Sequence, residues 1–225
     1  MVQVARKADA APVVPADLLA EVQDFVAKQQ PELVVSLHQG FVVVEGKLAI
    51  NGPLGDFDVY EINMGVSSDF PFSAPVVYET GGRVPRIADR HVFEDHENCC
   101  LGVWEEWLIM SSDHSFSNFM RGLLNDYFMS QSWYEDHKEW PFGQRSHGRL
   151  GILEAYCWLL EIDLDNSQAL TYLRLLSRKQ VKGHQFCPCG SGHRLRACHF
   201  KKLRELQGKI LPAMAERMLH RLFAP

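Results

Sequence analysis

Three cysteines and one histidine near the C-terminus constrain this chain more than any other feature. Cys187-Pro188-Cys189 is followed by Cys198-His199, and Gly190-Ser191-Gly192 stands between the two pairs. Three thiolates and one imidazole suit tetrahedral Zn²⁺ in a closed, structural site. The glycines supply the tight turn that brings the chain back to the ion. The spacing therefore predicts a structural zinc ion bound by Cys187, Cys189, Cys198 and His199, with His193 of the same turn at the surface.

Composition is that of an ordinary globular protein. The chain has 225 residues, of which 46% are hydrophobic, so a packed core is expected. No apolar run approaches the ~18 residues that span a bilayer. Pro12 and Pro15 break the short apolar pieces of the N-terminus, which makes it a poor signal peptide. We expect a cytoplasmic protein without a membrane partner, in which six cysteines indicate thiol chemistry and metal binding rather than disulfides.

Charge is unevenly distributed along the chain. The net charge of −5 demands neither nucleic acid nor an anionic membrane as a partner. From Arg174 to Arg221, however, basic residues dominate. Such a basic segment on an acidic body suits an acidic partner or RNA, and a solvated helix face is the simpler alternative.

Hydrophobic periodicity predicts an α+β protein that begins with a helix and an antiparallel meander. One apolar face marks a helix over 16–29, which Pro31 stops. Four stretches rich in β-branched residues follow, separated by Gly- and Asn-containing turns, at 32–37, 41–50, 57–64 and 75–78. Helical periodicity returns at 116–134, 150–162, 167–177 and 201–223, and Pro212 is expected to divide the last helix.

The long segment between the meander and the next helix carries residues suited to thiol chemistry. Residues 81–100 are polar and interrupted by proline, which predicts a surface loop, and Cys99 and Cys100 end it. A thiolate is the reactive form of cysteine. Acidic residues close to the cysteines in sequence would raise a thiol pKa. These residues are Glu94, Asp95, Glu97, Glu105 and Glu106. This pattern argues against a protease-type ion pair and favours a thiol that exchanges thioesters.

Two short motifs around this loop resemble a known family. The proline segment Phe70-Pro71-Phe72-Ser73-Ala74-Pro75-Val76-Val77 comes before it, Cys100-Leu101 ends it, and Trp104 or Trp107 follows. In this order, after a helix and a meander, they resemble ubiquitin-conjugating enzymes in a divergent bacterial form, over roughly residues 16 to 145. The resemblance implies a UBC-like fold, in which helices flank an antiparallel meander sheet.

The resemblance also implies roles for individual residues. Cys100 corresponds to the thioester-forming cysteine because it precedes Leu101, and Cys99 is the alternative nucleophile. The family usually has a His-Pro-Asn tripeptide whose Asn supports the oxyanion, whereas here the matching stretch is Arg90-His91-Val92-Phe93. Because this stretch has no such Asn, the oxyanion would be stabilised by a backbone N–H, by His91 or by Asn98.

Partners follow from the same resemblance. In the family, a separate activating enzyme passes the C-terminal carboxyl of a protein to the cysteine, and an amine then attacks the thioester. Bacterial members of this kind occur in CBASS antiphage operons beside a cGAS-like nucleotidyltransferase, which makes cyclic nucleotides. The resemblance implies that the C-terminus of this nucleotidyltransferase is the conjugated carboxyl. The alternatives are a catalytically inactive adaptor of the same fold and a nucleic-acid-binding zinc protein.

The cysteine cluster resembles a second known element. Its pattern, C-x-C-G-S-G-x(5)-C-H, is similar to the SEC-C motif, which occurs in many unrelated bacterial proteins and implies zinc. The expected organisation is a flexible N-terminus at 1–15, a ubiquitin-conjugating-like domain at 16–145, a helical extension at 146–180, a SEC-C zinc motif at 181–200 and a basic C-terminal helix at 201–225.

Overall fold

The computed structural model describes residues 13–52, 55–141 and 143–223. The expected flexible N-terminus therefore lies mostly outside the described residues, as does Phe142. Over the described ranges the protein is mixed α+β, with a four-stranded antiparallel sheet. No helix within these ranges combines the length and the apolarity that crossing a membrane requires.

Each stretch predicted to be helical from periodicity contains helix, and one helix, over 104–110, was not predicted. The first predicted helix is confirmed at both ends, and the last is divided at Pro212 as expected. Proline suits the first turn of a helix because N–H groups there have no intrahelical acceptor, so the absence of an N–H costs no hydrogen bond. The helix bounds are α1 Ala16–Gln29, α2 Trp104–Met110, α3 Phe116–Phe119, α4 Asn125–His137, α5 Gly148–Leu160, α6 Asn166–Leu176, α7 Phe200–Lys209 and α8 Pro212–Phe223. A π-helical segment, Met120–Leu124, joins α3 to α4.

Contacts divide the chain into two compact units. The first comprises residues 1–102 and 113–142, and the second comprises 103–112 and 143–225. In this division α2 groups with residues 143–225 rather than with the residues around it in sequence. Buried residues of α5 to α8 belong to one apolar cluster with Val181, Cys187 and Leu195. The predicted domain bounds stay a prediction.

The sheet of the first unit is a simple meander in the order β1-β2-β3-β4. Inward residues of β2 alternate with exposed ones, so that Val42, Val44, Leu48 and Ile50 are buried. This alternation is the period-two pattern expected of a strand with one buried face. The four predicted strands are thus confirmed, with observed bounds β1 Leu33–His38, β2 Phe41–Gly52, β3 Gly55–Ser67 and β4 Val76–Glu79.

Gly46 allows the end of β1 to approach β2 closely. Its φ is +126°, and a Cβ at this position would lie 2.4 Å from the carbonyl oxygen of Glu32. A side chain cannot be accommodated at that distance from backbone, so the position requires glycine. The same carbonyl accepts a hydrogen bond from the N–H of Lys47, at 3.3 Å.

Helices α3 and α4 cover the inner face of the sheet in the first unit. Phe119, Leu124 and Phe128 are fully buried there, and the ring of Phe128 lies 4.6 Å from that of Tyr60 on β3. The helical run begins at Ser115, whose side chain accepts a hydrogen bond from the N–H of Asn118. The core of this unit is therefore a sheet face covered by helices.

The second unit is a helical cluster with its own core. Residues of α5, α6, α7 and α8 surround a continuous set of buried apolar side chains. Asp165 caps α6 by accepting hydrogen bonds from the N–H groups of Ser167 and Gln168. Helix α2 joins this unit because Glu105 is fully buried and forms ion pairs with Arg217 and Arg221 of α8. A buried carboxylate requires such partners.

Candidate functional site

The segment that carries the paired cysteines is a short hairpin rather than an open loop. Val92 pairs with Cys99 in an antiparallel bridge, and the N–H of Phe93 donates to the carbonyl of Asn98 at 2.9 Å. A short 3₁₀ helix, Ala88–Arg90, leads into this hairpin. The fold thus brings together four predicted site residues, His91, Asn98, Cys99 and Cys100, which we call the cysteine hairpin (residues 91–100).

Main-chain hydrogen bonds hold the cysteine hairpin against the sheet. The N–H of Cys99 donates to the carbonyl of Val77 on β4, and the N–H of Cys100 donates to the carbonyl of His91, both at 2.7 Å. The hydroxyl of Tyr127 on α4 donates to the same His91 carbonyl at 3.1 Å. His91 itself has a φ of +51°, in the left-handed region. Both the sheet and α4 therefore determine where Cys100 lies.

A buried pair of side chains anchors the residue before His91. The amide nitrogen of Gln131 donates to the carbonyl of Arg90 at 2.7 Å, and the Nε of Arg90 donates to the Gln131 side-chain oxygen at 3.0 Å. Both residues are buried in the first unit. These two hydrogen bonds attach the residue just before the cysteine hairpin to α4.

The two adjacent cysteines have different environments. Cys99 is 4% exposed, whereas Cys100 is only partly buried. Burial raises the pKa of the Cys99 thiol to about 11, although a hydrogen bond with Tyr127 opposes part of that rise. A buried thiol with a raised pKa is a poor nucleophile at neutral pH. Of the two candidates, Cys100 is the less buried.

Alkylation is expected to separate these two thiols. In a Cys100→Ser variant, Cys99 should remain unmodified by iodoacetamide in the native protein at pH 8, because a pKa of about 11 leaves about one thiol in a thousand ionised. In a Cys99→Ser variant, Cys100 should react under the same conditions. Peptide mass spectrometry measures each modification separately. Modification of native Cys99 as fast as in the denatured protein would contradict its burial.

The candidate oxyanion residues have defined neighbours in the hairpin. The side-chain amide of Asn98 donates to the carbonyl of Cys99 at 3.4 Å. The ring of His91 packs edge-on against Trp140, with centroids 4.6 Å apart, and Trp140 in turn stacks on Tyr134. These contacts give each side chain a defined neighbour, and the role of His91, Asn98 or a backbone N–H toward an oxyanion stays a prediction.

Glutamates near the cysteines in sequence make structural contacts. Glu97 forms an ion pair with Arg86, and Glu94 accepts a hydrogen bond from the N–H of Ala88 at 3.3 Å. In the second unit, Glu105 pairs with two arginines, and Glu106 pairs with Arg145 at 2.6 Å. Paired carboxylates exert a weaker field than free ones. The expected effect of these acids on a thiol pKa is accordingly reduced.

A charge cluster that the sequence did not reveal supports the segment leading to the hairpin. The guanidinium of Arg83 contacts both oxygens of Asp58 on β3, at 2.7 and 2.6 Å, and it also contacts Glu135 on α4. Hydrogen bonding to Arg83 lowers the pKa of Asp58 to about 2 although burial opposes it. The three residues are far apart in sequence, so only the fold brings them together.

The second candidate site is the predicted metal cluster. The ligand atoms of Cys187, Cys189, Cys198 and His199 all lie within 4.8 Å of one another. Two sulfurs bound to one tetrahedral zinc at ~2.3 Å would be about 3.8 Å apart, and those of Cys189 and Cys198 are 3.6 Å apart. The Nδ1 of His199 lies 3.2 Å from the sulfurs of both Cys187 and Cys198. These four residues could hold a metal ion.

A small two-stranded ribbon presents these ligands. Phe186 and Arg194 form an antiparallel bridge, and the N–H of Cys187 donates to the carbonyl of His193 at 2.9 Å. We call residues 181–199 the metal ribbon. Gly190 and Gly192, in its turn, have φ values of +77° and +74°. The side chain of His193 is exposed and is not among the clustered ligands.

Electrostatics differ among the cysteines of the metal ribbon. Burial raises the pKa of Cys187 to about 11, whereas hydrogen bonding with the Ser191 hydroxyl lowers that of Cys189 to about 6. A bound cation ionises the thiols that coordinate it. The donor set therefore suits a metal ion whose charge stabilises the thiolates.

Comparisons of the chain with protein-family models, curated proteins and solved structures find no match.

Proposed function

We propose that this protein is a ubiquitin-conjugating-like acyl carrier in which Cys100 holds the C-terminal carboxyl of a partner protein as a thioester. The observation that carries the proposal is the contrast between the half-buried Cys100 and the buried Cys99. Cys100 lies in a hairpin that is hydrogen-bonded to β4 and α4, and this hairpin follows a helix and an antiparallel meander in the chain. That order of elements is the one the sequence resemblance implies.

The chemistry needs two acyl transfers. In the first, the Cys100 thiolate attacks the carbonyl carbon of a thioester on an activating enzyme, a C–S bond forms to Cys100, and the thiolate of that enzyme leaves. In the second, a neutral amine attacks the new thioester, a C–N bond forms, and the Cys100 thiolate leaves. The amine loses its extra proton to water or buffer. Both steps develop negative charge on the acyl oxygen, near His91, Asn98 and the hairpin backbone.

The bacterial setting of the resemblance suggests the cargo. A cGAS-like nucleotidyltransferase, conjugated through its own C-terminus in an antiphage operon, is the proposed partner. A separate activating enzyme is required, because the chemistry begins with an activated carboxyl.

We assign Zn²⁺ to the metal ribbon on the chemistry of its donors. Cys187, Cys189, Cys198 and His199 would complete a tetrahedral site, which leaves no open position for a substrate. When bound, zinc would supply a crosslink and no reaction step. The chain's own residues then position α7, which begins at Phe200, directly after the ligand His199.

Intact mass analysis of the protein purified from its own host without reductant tests the thioester. We expect a protein-sized adduct that thiol treatment removes. The thiol-sensitive adduct should persist in Cys99→Ser and disappear in Cys100→Ser. If the new serine at position 100 is acylated instead, the resulting oxygen ester is recognised because thiol treatment does not remove it. Mass and peptide sequence of the released protein identify the cargo.

Other outcomes of the same experiment contradict the proposal in different ways. If the adduct requires Cys99 but not Cys100, the protein would still be an acyl carrier, but Cys100 would not be its nucleophile. A partner that co-purifies unchanged with every variant, without any adduct, would reject catalysis and favour the adaptor.

A further inference from the structure

The outer face of the metal ribbon carries a group of side chains that the proposed thioester chemistry does not use. The N–H of Leu195 donates to the carbonyl of Gln185, and that of Arg196 donates to the carbonyl of Gly183. Val181, Cys187 and Leu195 of the ribbon are buried. Its exposed side chains include Lys182, His184, Phe186, Arg194 and Arg196.

Phe186 and Arg194 form an ordered cation–π pair on this face, which we call the plate. Phe186 is 63% exposed, and the guanidinium of Arg194 lies over its ring, 4.3 Å from the ring centroid. The guanidinium is held in place because its Nη1 donates to the carbonyl of His184 at 2.9 Å. Aromatic rings and guanidinium planes are both surfaces on which a nucleobase can stack.

The segment of sequence that contains this plate carries basic side chains and no acidic ones. Residues 166–204 contain nine Lys and Arg and no Asp or Glu. Three thiolates with one Zn²⁺ would contribute only about one negative charge to that region. Lys182 and Arg196 are both exposed, and the N–H of Arg196 donates to the carbonyl of Gly183, the residue after Lys182. Long cationic side chains near an aromatic pair can contact the phosphates of a bound strand.

We propose that this face of the metal ribbon binds single-stranded nucleic acid, with a base stacked on Phe186 and Arg194 and phosphates contacting Lys182 and Arg196. An acidic protein would also be attracted by the cations, but it would gain little from an exposed aromatic plate. The ribbon requires no chemistry at Cys100, so this proposal stands or fails separately from the acyl-carrier function.

Fluorescence anisotropy of the full-length, metal-loaded protein tests the proposal. The probes are labelled oligo-U and oligo-dT of about 20 nucleotides, a length that covers known single-strand sites. We expect binding that weakens between about 50 and about 200 mM salt. Phe186→Ala should weaken it about 10-fold, the effect of losing one stacked base. Comparison of the two probes distinguishes RNA from DNA.

Charge variants locate the contact surface. Lys182→Gln and Arg196→Gln should each reduce the slope of log affinity against log salt by about 0.7, the value for one phosphate contact on a single strand. Arg149→Gln, which removes an exposed charge outside the ribbon, is the matched control and should leave the slope unchanged. Metal content and circular dichroism of each variant exclude unfolding as the cause.

Three results would overturn the proposal. The first is the absence of binding to either oligonucleotide at low salt. The second is an effect of Arg149→Gln as large as that of the ribbon variants, which would indicate diffuse charge attraction. The third is binding of poly-glutamate as tight as that of the oligonucleotides and insensitive to Phe186→Ala, which would indicate an acidic protein partner.

Discussion

Loss of the metal is expected to unfold the metal ribbon and to loosen α7. The ribbon buries few apolar side chains of its own, among them Val181 and Leu195, so its folding free energy has to come from coordination. Structural zinc sites supply about 10–16 kcal/mol in isolated zinc-finger peptides.

Hydrogen exchange measured by mass spectrometry tests this expectation. In the Cys198→Ser variant, or after chelation of the wild-type protein, amides of residues 181–209 should exchange about 100-fold faster or more. Amides of β2 and β3, in the first unit, should keep their protection. Cys198 is suited to the test because it is exposed, so its replacement removes a ligand and little packing.

His193→Ala is the matched control for the metal experiment. His193 lies in the same turn, and its exposed side chain is not one of the clustered ligands. We expect this variant to bind one zinc ion per chain, as elemental analysis would measure. Full protection of 181–209 in metal-free protein would reject the structural role, and stoichiometric zinc in Cys198→Ser would reject that ligand.

Removing both arginines that face Glu105 is expected to destabilise the second unit by about 3–5 kcal/mol, the effect of leaving a buried charge unpaired. Arg217 and Arg221 are one turn apart on α8, so both reach the same carboxylate, at 2.8 and 3.0 Å. The Glu105 side chain is only 1% exposed and cannot recover solvation. In Arg217→Met/Arg221→Met, hydrogen exchange of α5 and α6 should accelerate accordingly.

Glu105→Gln in the same background is the control for this prediction. An amide has no charge to desolvate, so the triple variant should recover much of the lost stability. If the double variant is as stable as the wild type, or if the triple variant is no more stable than the double, the loss does not arise from an unpaired carboxylate.

The pH dependence gives an independent check. Burial by itself raises the pKa of Glu105, but Arg221 and Arg217 outweigh it and hold the pKa below its ordinary value. The stabilisation from Glu105 is therefore present above the unfolded pKa of ~4.3 and is lost as the pH falls through the folded pKa. Without the arginines, burial raises the folded pKa instead. The deficit of the double variant should then shrink as the pH falls through this raised pKa toward the unfolded value of ~4.3.

The regular elements of the first unit were predictable because their signals are local. Helix α1 has an apolar face and is stopped by Pro31, and the strands have period-two burial separated by turns. Helix α2 was missed because it has only seven residues, and two adjacent glutamates in its first turn obscured its apolar face. Its grouping with the second unit depends on arginines more than 100 residues away.

By itself, the sequence determined the chain's α+β character, the meander and the four candidate metal ligands, because periodicity and ligand spacing are properties of neighbouring residues. Only the tertiary structure decided which of the two adjacent cysteines is the less buried. The bridge of Val92 to Cys99 and the hydrogen bond from Cys99 to Val77 set that orientation, and both join segments that meet only in the folded protein. The partners of Glu105 and Arg83 were decided in the same way, because an ion pair depends on position in space rather than on separation along the chain.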